Sequence, residues 1–342
     1  MSYITFQPSD YFNTKLYTGT GSAQSISSVG FQPDWVWVKN RTDASTNHLV
    51  TDAVRGATKC LFPNLTNAEV TESNALQSFD SDGFTLGSDS SVNTNTKNWV
   101  SWNWKANGSG SANTDGSISS TVSANDTAGF SIVKYTGTGS AGNVGHGLST
   151  APKLLLNKAL GTQDWFVGHS SIGFTKFLKL NENNAESTNS GIWNDTSPTT
   201  DHFTINSGNG NTNATGVEYI TYCFAEKKGF SKFGSYTGNG STDGVFIYTG
   251  FKPAFFIYKM TNSTGGWVIL DATRNPSNLV TQYLYTNASD AEASALFVDF
   301  VSNGIKFRTN YADTNGSGNT YIYMAFAEHP LVSSNDIPAT AR

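Results

Sequence analysis

The hexamer YTGTGS stands at residues 17–22, returns unchanged at 135–140, and recurs as YTGNGS at 236–241. Six residues written three times in a chain of 342 point to a duplicated turn of fixed chemistry. The pattern reads as a strand ending on Tyr17, Tyr135 or Tyr236 and turning on two glycines. Gly19, Gly137 and Gly238 are expected at positive φ, which residues with a Cβ resist. No Lys-Ser/Thr and no helical pattern follows, so the hexamer lacks what a phosphate-binding loop requires.

The recurrence extends outward from the turn. Pro33, Pro152 and Pro253 each precede an apolar run that ends in lysine: PDWVWVK, PKLLLNK and PAFFIYK, closing on Lys39, Lys158 and Lys259. Proline needs no ladder N–H at a strand start, and the aromatic and β-branched content of two of the runs reads as strand. Each copy resumes with HLVTD, WFVGH or WVILD, so that His48, Trp165 and Trp267 share one slot and Asp52, His169 and Asp271 another. A pattern L-x-x-N-x-x-x-A-E follows at 61–69, 178–186 and 284–292. Each copy closes on an aromatic run: WVSWNW (99–104), YITYCF (219–224) and YIYMAF (321–326).

Short apolar runs bounded by Gly, Asn and Asp, with Asp-Gly and Asn-Gly turns, give an all-β expectation: three tandem pseudo-repeats, each a β-sandwich. The units are 1–106, 129–228 and 229–330, with a Gly/Ser/Asn-rich connector at 107–128 and an exposed arm at 331–342. Each is expected to have its own core, with the first unit separable and the other two closely packed. Short helical turns are expected around the Ala-Glu pairs at 68–69 and 291–292.

Charged residues make up 14% of the chain, against about 25% in ordinary domains, so Asn, Ser, Thr and Gly must supply the polar surface. The net charge of −5 and the absence of any Lys/Arg run argue against nucleic-acid binding. No apolar span approaches the ~20 residues of a membrane helix, and the first residues carry no secretion signal. Cys60 and Cys223 are too few for a disulfide framework or a zinc site, and the five histidines have no metal-ligand spacing.

Glu69, Glu186 and Glu292 could be read as hydrolytic carboxylates, but one per copy at the same slot reads as a loop anchor. Asp52–Arg55 and Asp271–Arg274 read as bridges fixing a loop; the alternative is an arginine poised for an acidic sugar or a lipopolysaccharide phosphate. The second copy breaks the pair with His169 and Ile172. DSDG at 80–83 reads as a hairpin turn, since position twelve of a calcium loop would be Ser91. The tryptophans of DWVWV and WVSWNW read as sandwich core, with sugar stacking as the alternative. No catalytic residue, metal ligand or cofactor is assigned, and binding residues remain unassigned.

The order GFQPDWVWVKNR, TDAVRGA, LFPN, SFDSDGFTLG, NWVSWNWKA, AGFSIVKYTGTGSAGNVGHGL and the closing IYMAFAEHP resembles structural proteins of tailed bacteriophages, marine ones especially, over nearly the whole chain. The resemblance implies a concanavalin-like or jelly-roll protein displayed on a virion, of the kind labelled tail fibre or lectin-like. It carries over no site residues. The chain lacks the heptads or shaft of a trimeric fibre. The resulting expectation is a non-enzymatic virion protein released by host lysis, a tail-fibre or appendage component adhering to a host glycan. Its partners would be other virion proteins, with a homo-oligomer on the particle also compatible. The alternatives are a capsid decoration or knob protein and a glycan-cleaving depolymerase.

Overall fold

The computed structural model describes residues 6–207 and 211–328 and the backbone of Leu331–Val332 and Pro338–Ala339. The arm expected at 331–342 therefore lies outside the described residues, apart from those two short strands. The protein is all-β.

Each unit builds one large antiparallel sheet of the same strand order. An opening strand (Phe12–Thr18, Phe130–Thr136, Ser231–Thr237) pairs with a closing strand (Asn98–Trp104, Glu218–Phe224, Thr320–Ala327). The closing strand pairs in turn with the proline strand (Trp35–Asn40, Leu154–Ala159, Pro253–Met260), which pairs with a fourth (Leu49–Asp52, Trp165–His169, Trp267–Asp271). Tyr17, Tyr135 and Tyr236 lie opposite Trp99, Tyr219 and Tyr321 in matching registers.

Both faces of these sheets are buried, which explains why the proline strands read as continuous apolar runs rather than alternating ones. Outward-facing Val36, Leu155 and Phe256 pack under a smaller second layer in each unit and form three separate local cores. Inward-facing residues enter a single central core that draws on all three units. Trp35, Leu154 and Phe255 point into it, as do Trp104, Phe224 and Phe326 from the ends of the closing strands. Those last three rings meet one another at centroid separations of 6.4, 6.1 and 5.8 Å. The expectation of separable units is thus corrected: three sheets share one interior as well as having private ones.

Residues 107–128 are more than a connector. Ser111–Asn113 and Ser120–Asn125 are strands, and the latter pairs with the opening strand of unit two, Ser120 opposite Tyr135 and Asn125 opposite Phe130. The helical turns among the described residues fall at Pro8–Asp10, Ser90–Asn93, Ser190–Trp193 and Ala312–Asn315, not at the Ala-Glu pairs. The residues after those pairs are extended, because the segments serve the junctions between units.

The repeated hexamer wraps a buried asparagine. Asn93, Asn213 and Asn315 accept through Oδ1 from the backbone N–H of Thr20, Thr138 and Asn239, at 2.8, 2.8 and 3.0 Å. Through Nδ2 they donate to the carbonyls of Ser22, Ser140 and Ser241. The tyrosine hydroxyls donate to the carbonyl one residue earlier, Val92, Thr212 or Thr314. The two glycines divide the work differently from expectation. Positive φ belongs to the second, Gly21, Gly139 and Gly240, at +67°, +75° and +66°. Gly19, Gly137 and Gly238 are required by close approach: a Cβ there would fall 2.1–2.3 Å from the carbonyl oxygen of Thr94, Ala214 or Gly316.

Gly19→Ala should therefore cost about 1–3 kcal/mol through overpacking against fixed backbone. Gly21→Asn should cost less than about 1 kcal/mol, because asparagine tolerates the left-handed region. Urea denaturation of the two variants orders them; the reverse order would contradict this division.

Candidate functional site

The recurring polar residues assemble at the three junctions, and the junctions close into a ring. The backbone N–H of Glu69 donates to Leu160 O in unit two, that of Glu186 to Thr261 O in unit three, and that of Glu292 to Arg41 O in unit one (2.8, 2.7 and 3.0 Å). In the opposite sense, His48 Nε2 bonds Tyr285 O, Trp165 Nε1 bonds Phe62 O, and Trp267 Nε1 bonds Lys179 O (2.9, 2.9 and 2.8 Å). These carbonyls all belong to the residue after the leucine of the L-x-x-N pattern. The asparagine of that pattern accepts the backbone N–H of the His48/Trp165/Trp267 slot in each unit. The lysines closing the proline strands are fully buried and satisfy carbonyls: Lys39 reaches Ser289 O across one junction and Lys259 reaches Asn183 O across another. Burial pushes each of Lys39, Lys158 and Lys259 down to about 8.

The Asp–Arg pairs lie in the same junctions. Arg55 Nε meets Asp52 Oδ2 at 2.5 Å and its Nη1 reaches Glu69 Oε2 at 3.1 Å, while Tyr222 of unit two donates to Asp52 Oδ2 at 2.7 Å. Arg274 repeats the geometry with Asp271 and Glu292 (2.5 and 3.1 Å), and Trp102 Nε1 of unit one donates to Asp271 Oδ2 at 3.1 Å. Burial alone would lower the Arg55 value, but Asp52, Tyr222 and Glu69 outweigh it and hold the guanidinium protonated. Both arginine side chains are almost wholly buried, so neither is placed to receive an acidic sugar from solvent.

The third junction breaks the pattern for a legible reason. The donor slot occupied by Tyr222 and Trp102 holds Met324 in unit three, which cannot donate. A carboxylate at 169 would be buried without that partner, a costly arrangement. His169 stands there instead, donating Nε2–H to Tyr323 O (3.2 Å) and accepting Ser171 N–H at Nδ1 (3.1 Å). That geometry fixes the neutral Nε2–H tautomer, and burial pushes His169 down to about 4. With Ile172 in the arginine slot, Glu186 pairs with Lys176 at 2.5 Å.

These contacts account for most residues singled out in the sequence, and they are internal. DSDG forms a hairpin, with Asp80 opposite Gly83, whose Asp82 carboxylate accepts from Ser28 and Gly30 N–H. Among the described residues no group of three or more His, Cys, Asp or Glu could hold a metal ion. Cys60 and Cys223 are free and buried, and burial pushes both thiols up, Cys60 to about 12. Every tryptophan of DWVWV and WVSWNW is buried, so none offers a stacking surface.

Two exposed aromatics lie on the second layer of unit three. In the second layer of each unit a short strand turns one matched apolar residue inward: Ile26 at the strand's end, Val144 or Ile247. Its flanking residues are Ser25 and Ser27 in unit one and Asn143 and Gly145 in unit two, but Phe246 and Tyr248 in unit three. The two rings share a face of the strand and are 47% and 62% exposed. Gly304 lies under the Phe246 ring, where a Cβ would come within 2.8 Å of it. Beside them Asp243 Oδ1 bridges Lys306 (2.8 Å) and Arg308 (4.0 Å), and Arg308 also pairs with Asp299 (2.8 Å).

A family model for a domain of unknown function, DUF7483, matches residues 7–330. The chain belongs to that family. A comparison with curated proteins returned no match. The DUF7483 match encloses all three units and residues 107–128, so it spans the whole closed ring rather than one repeat.

Two predictions follow from the broken junction. The folded value of His169 lies below the ordinary 6.5, so the unfolded chain takes up the proton first. Its stabilising contribution is complete above pH 6.5 and is lost as pH falls through about 4, a change of up to about 3 kcal/mol. His169→Gln should flatten the stability profile over that window, read by urea denaturation at stepped pH; an unchanged profile would contradict the assignment. His169→Asp alone should cost about 3–5 kcal/mol as an unpaired buried charge. Adding Ile172→Arg and Met324→Tyr should recover most of it, and strict additivity of the three would refute the coupling.

Proposed function

We propose that the protein is a non-enzymatic structural protein on the surface of a tailed-phage virion, a tail-fibre or appendage component that adheres to host glycan. The observation that carries the reading is the Phe246–Tyr248 pair, exposed in unit three where the other two copies are polar or small. Two rings on one face offer apolar area for sugar C–H surfaces, and the adjoining Asp243, Lys306, Arg308 and Asp299 offer hydrogen bonds to hydroxyls with balanced charge. The particle itself is suggested by the resemblance of the sequence to tailed-phage structural proteins. The low charge content suits a surface working by hydrogen bonds. The recurring carboxylates are engaged in arginine, lysine or junction contacts.

Titration with host-surface oligosaccharide should give saturable binding without release of new reducing ends. Phe246→Ala and Tyr248→Ala should each weaken it tenfold or more, about 1.4 kcal/mol, while folding stability moves by less than about 0.5 kcal/mol. Enzyme-like release of reducing ends, or binding indifferent to both substitutions, would overturn the reading. Immunogold labelling of intact particles separates a tail position from a capsid knob.

A further inference from the structure

Two open cavities of the ring have different walls. The larger, about 530 Å³, lies between units two and three over the inner face of the third sheet. Its charged lining residues, Lys176 and Glu186, pair with each other at 2.5 Å, so a ligand there meets hydroxyls and a balanced charge. The smaller, about 290 Å³, lies in unit three between the large sheet and its second layer. That volume is at the small end of the ~300–1,000 Å³ usual for ligand sites, which suits a compact ligand.

Three tyrosines and one acid line the smaller cavity: Tyr283, Tyr285, Tyr311 and Asp313, together with Val268 and Leu296. Tyr283 and Tyr285 flank the inward Leu284 and so share the opposite face of their strand. Their ring centroids are 5.2 Å apart and their planes cross at 81°. Planes so crossed make a corner, and the quadrant between them is bounded by a face of each ring. Tyr285 lies against Gly266, where a Cβ would fall 2.4 Å from the ring. Burial, with Tyr283 and Asp313 nearby, pushes the Tyr285 hydroxyl up to about 12, so it stays neutral. Tyr311 is 49% exposed. Asp313 is half-buried, and among the described residues its carboxylate has no ion pair or hydrogen bond. Lys259, whose charge it feels, is fully buried and bonds Met260 O and Asn183 O instead.

This set belongs to unit three. Aligned on Leu61, Leu178 and Leu284, the two strand tyrosines answer to Cys60 and Phe62 in unit one and to Phe177 and Lys179 in unit two. Aligned on Asn93 and Asn315, Tyr311 and Asp313 answer to Asp89 and Ser91 of unit one. Gly266 answers to Asn47 and Asp164. The fold is written three times, and the aromatic lining once.

We infer that this cavity binds a compact organic cation of the quaternary ammonium class. The ring faces attract a cation through their quadrupoles, and Asp313 supplies the counter-charge. Val268 and Leu296 offer no side-chain acceptor to a strongly hydrated ammonium, whereas a methylated one needs none on leaving water. The inference shares no residue with the Phe246–Tyr248 face and is independent of the glycan reading.

The test is an NMR titration of the full chain, its tyrosine rings isotopically labelled, with choline and with choline's uncharged tert-butyl analogue. Choline should bind saturably and shift the ring signals of Tyr283, Tyr285 and Tyr311, and the analogue should bind at least tenfold more weakly. Asp313→Asn should weaken choline at least tenfold and Tyr311→Ala at least threefold, with urea denaturation checking that each variant folds. If Asp313→Asn does not fold, Tyr311→Ala decides alone. Cosedimentation with phosphatidylcholine vesicles but not phosphatidylglycerol ones would assign the cation to a lipid head group; choline binding without it assigns the free cation. Four outcomes would each overturn the inference: no saturable binding of choline, equal binding of the analogue, binding that neither substitution weakens, or shifts of the same rings by a neutral oligosaccharide instead of choline.

Discussion

Three aromatic side chains, Trp104, Phe224 and Phe326, meet at the centre of the molecule, and most of the structure answers to that contact. Placing the ends of three closing strands together requires each sheet to bury its inner face against the other two. Its outer face is already buried under a private second layer. A sheet with no wet face leaves its loops and polar side chains at the junctions with little water to satisfy them. Each must then find a protein partner, since an unpaired buried polar group costs about 1–3 kcal/mol. The recurring Glu, Asn, Lys and Trp or His positions are those partners, used three times in cyclic order.

The same constraint explains why the pattern fails together where it fails. Asp52 and Asp271 are tolerable because Tyr222 and Trp102 reach them from the next unit and Arg55 and Arg274 balance their charge. Met324 withdraws one donor, Ile172 withdraws the cation, and a neutral histidine replaces the acid. The three departures are one event seen at three positions. They leave a cleft at one junction of the ring, so the copies are equivalent in fold but offer different surfaces.

Much of this was legible in the chain itself. The three units, their strand starts near Pro33, Pro152 and Pro253, and the structural role of the repeated hexamer follow from internal recurrence. So do the Asp–Arg bridges and the burial of the tryptophans. The shared core was not legible, because a strand buried on two faces has the same apolar run whether its second face meets its own unit or a neighbour. The partners of Asp52 and Asp271 lie about 170 residues away, at 170 and 169, and appear only once the cyclic order is known. Positive φ was expected at the first glycine of each hexamer, which close approach requires instead, since the two constraints leave the same letter in the sequence. Phe246 and Tyr248 were readable in principle: aligning the buried Ile26, Val144 and Ile247 sets two exposed aromatics against Ser, Asn and Gly.

The central claim is that one interior holds the three sheets together. Native-state hydrogen exchange at the backbone amides of the three closing strands, followed through sub-denaturing urea, tests it most directly. The most protected amides of Asn98–Trp104, Glu218–Phe224 and Thr320–Ala327 should converge on one opening free energy and one urea dependence, equal to those of global unfolding. A closing strand that opens at lower free energy and with a smaller urea slope, while the other two stay protected, would mean that its unit unfolds alone and that the central contact does not bind the ring.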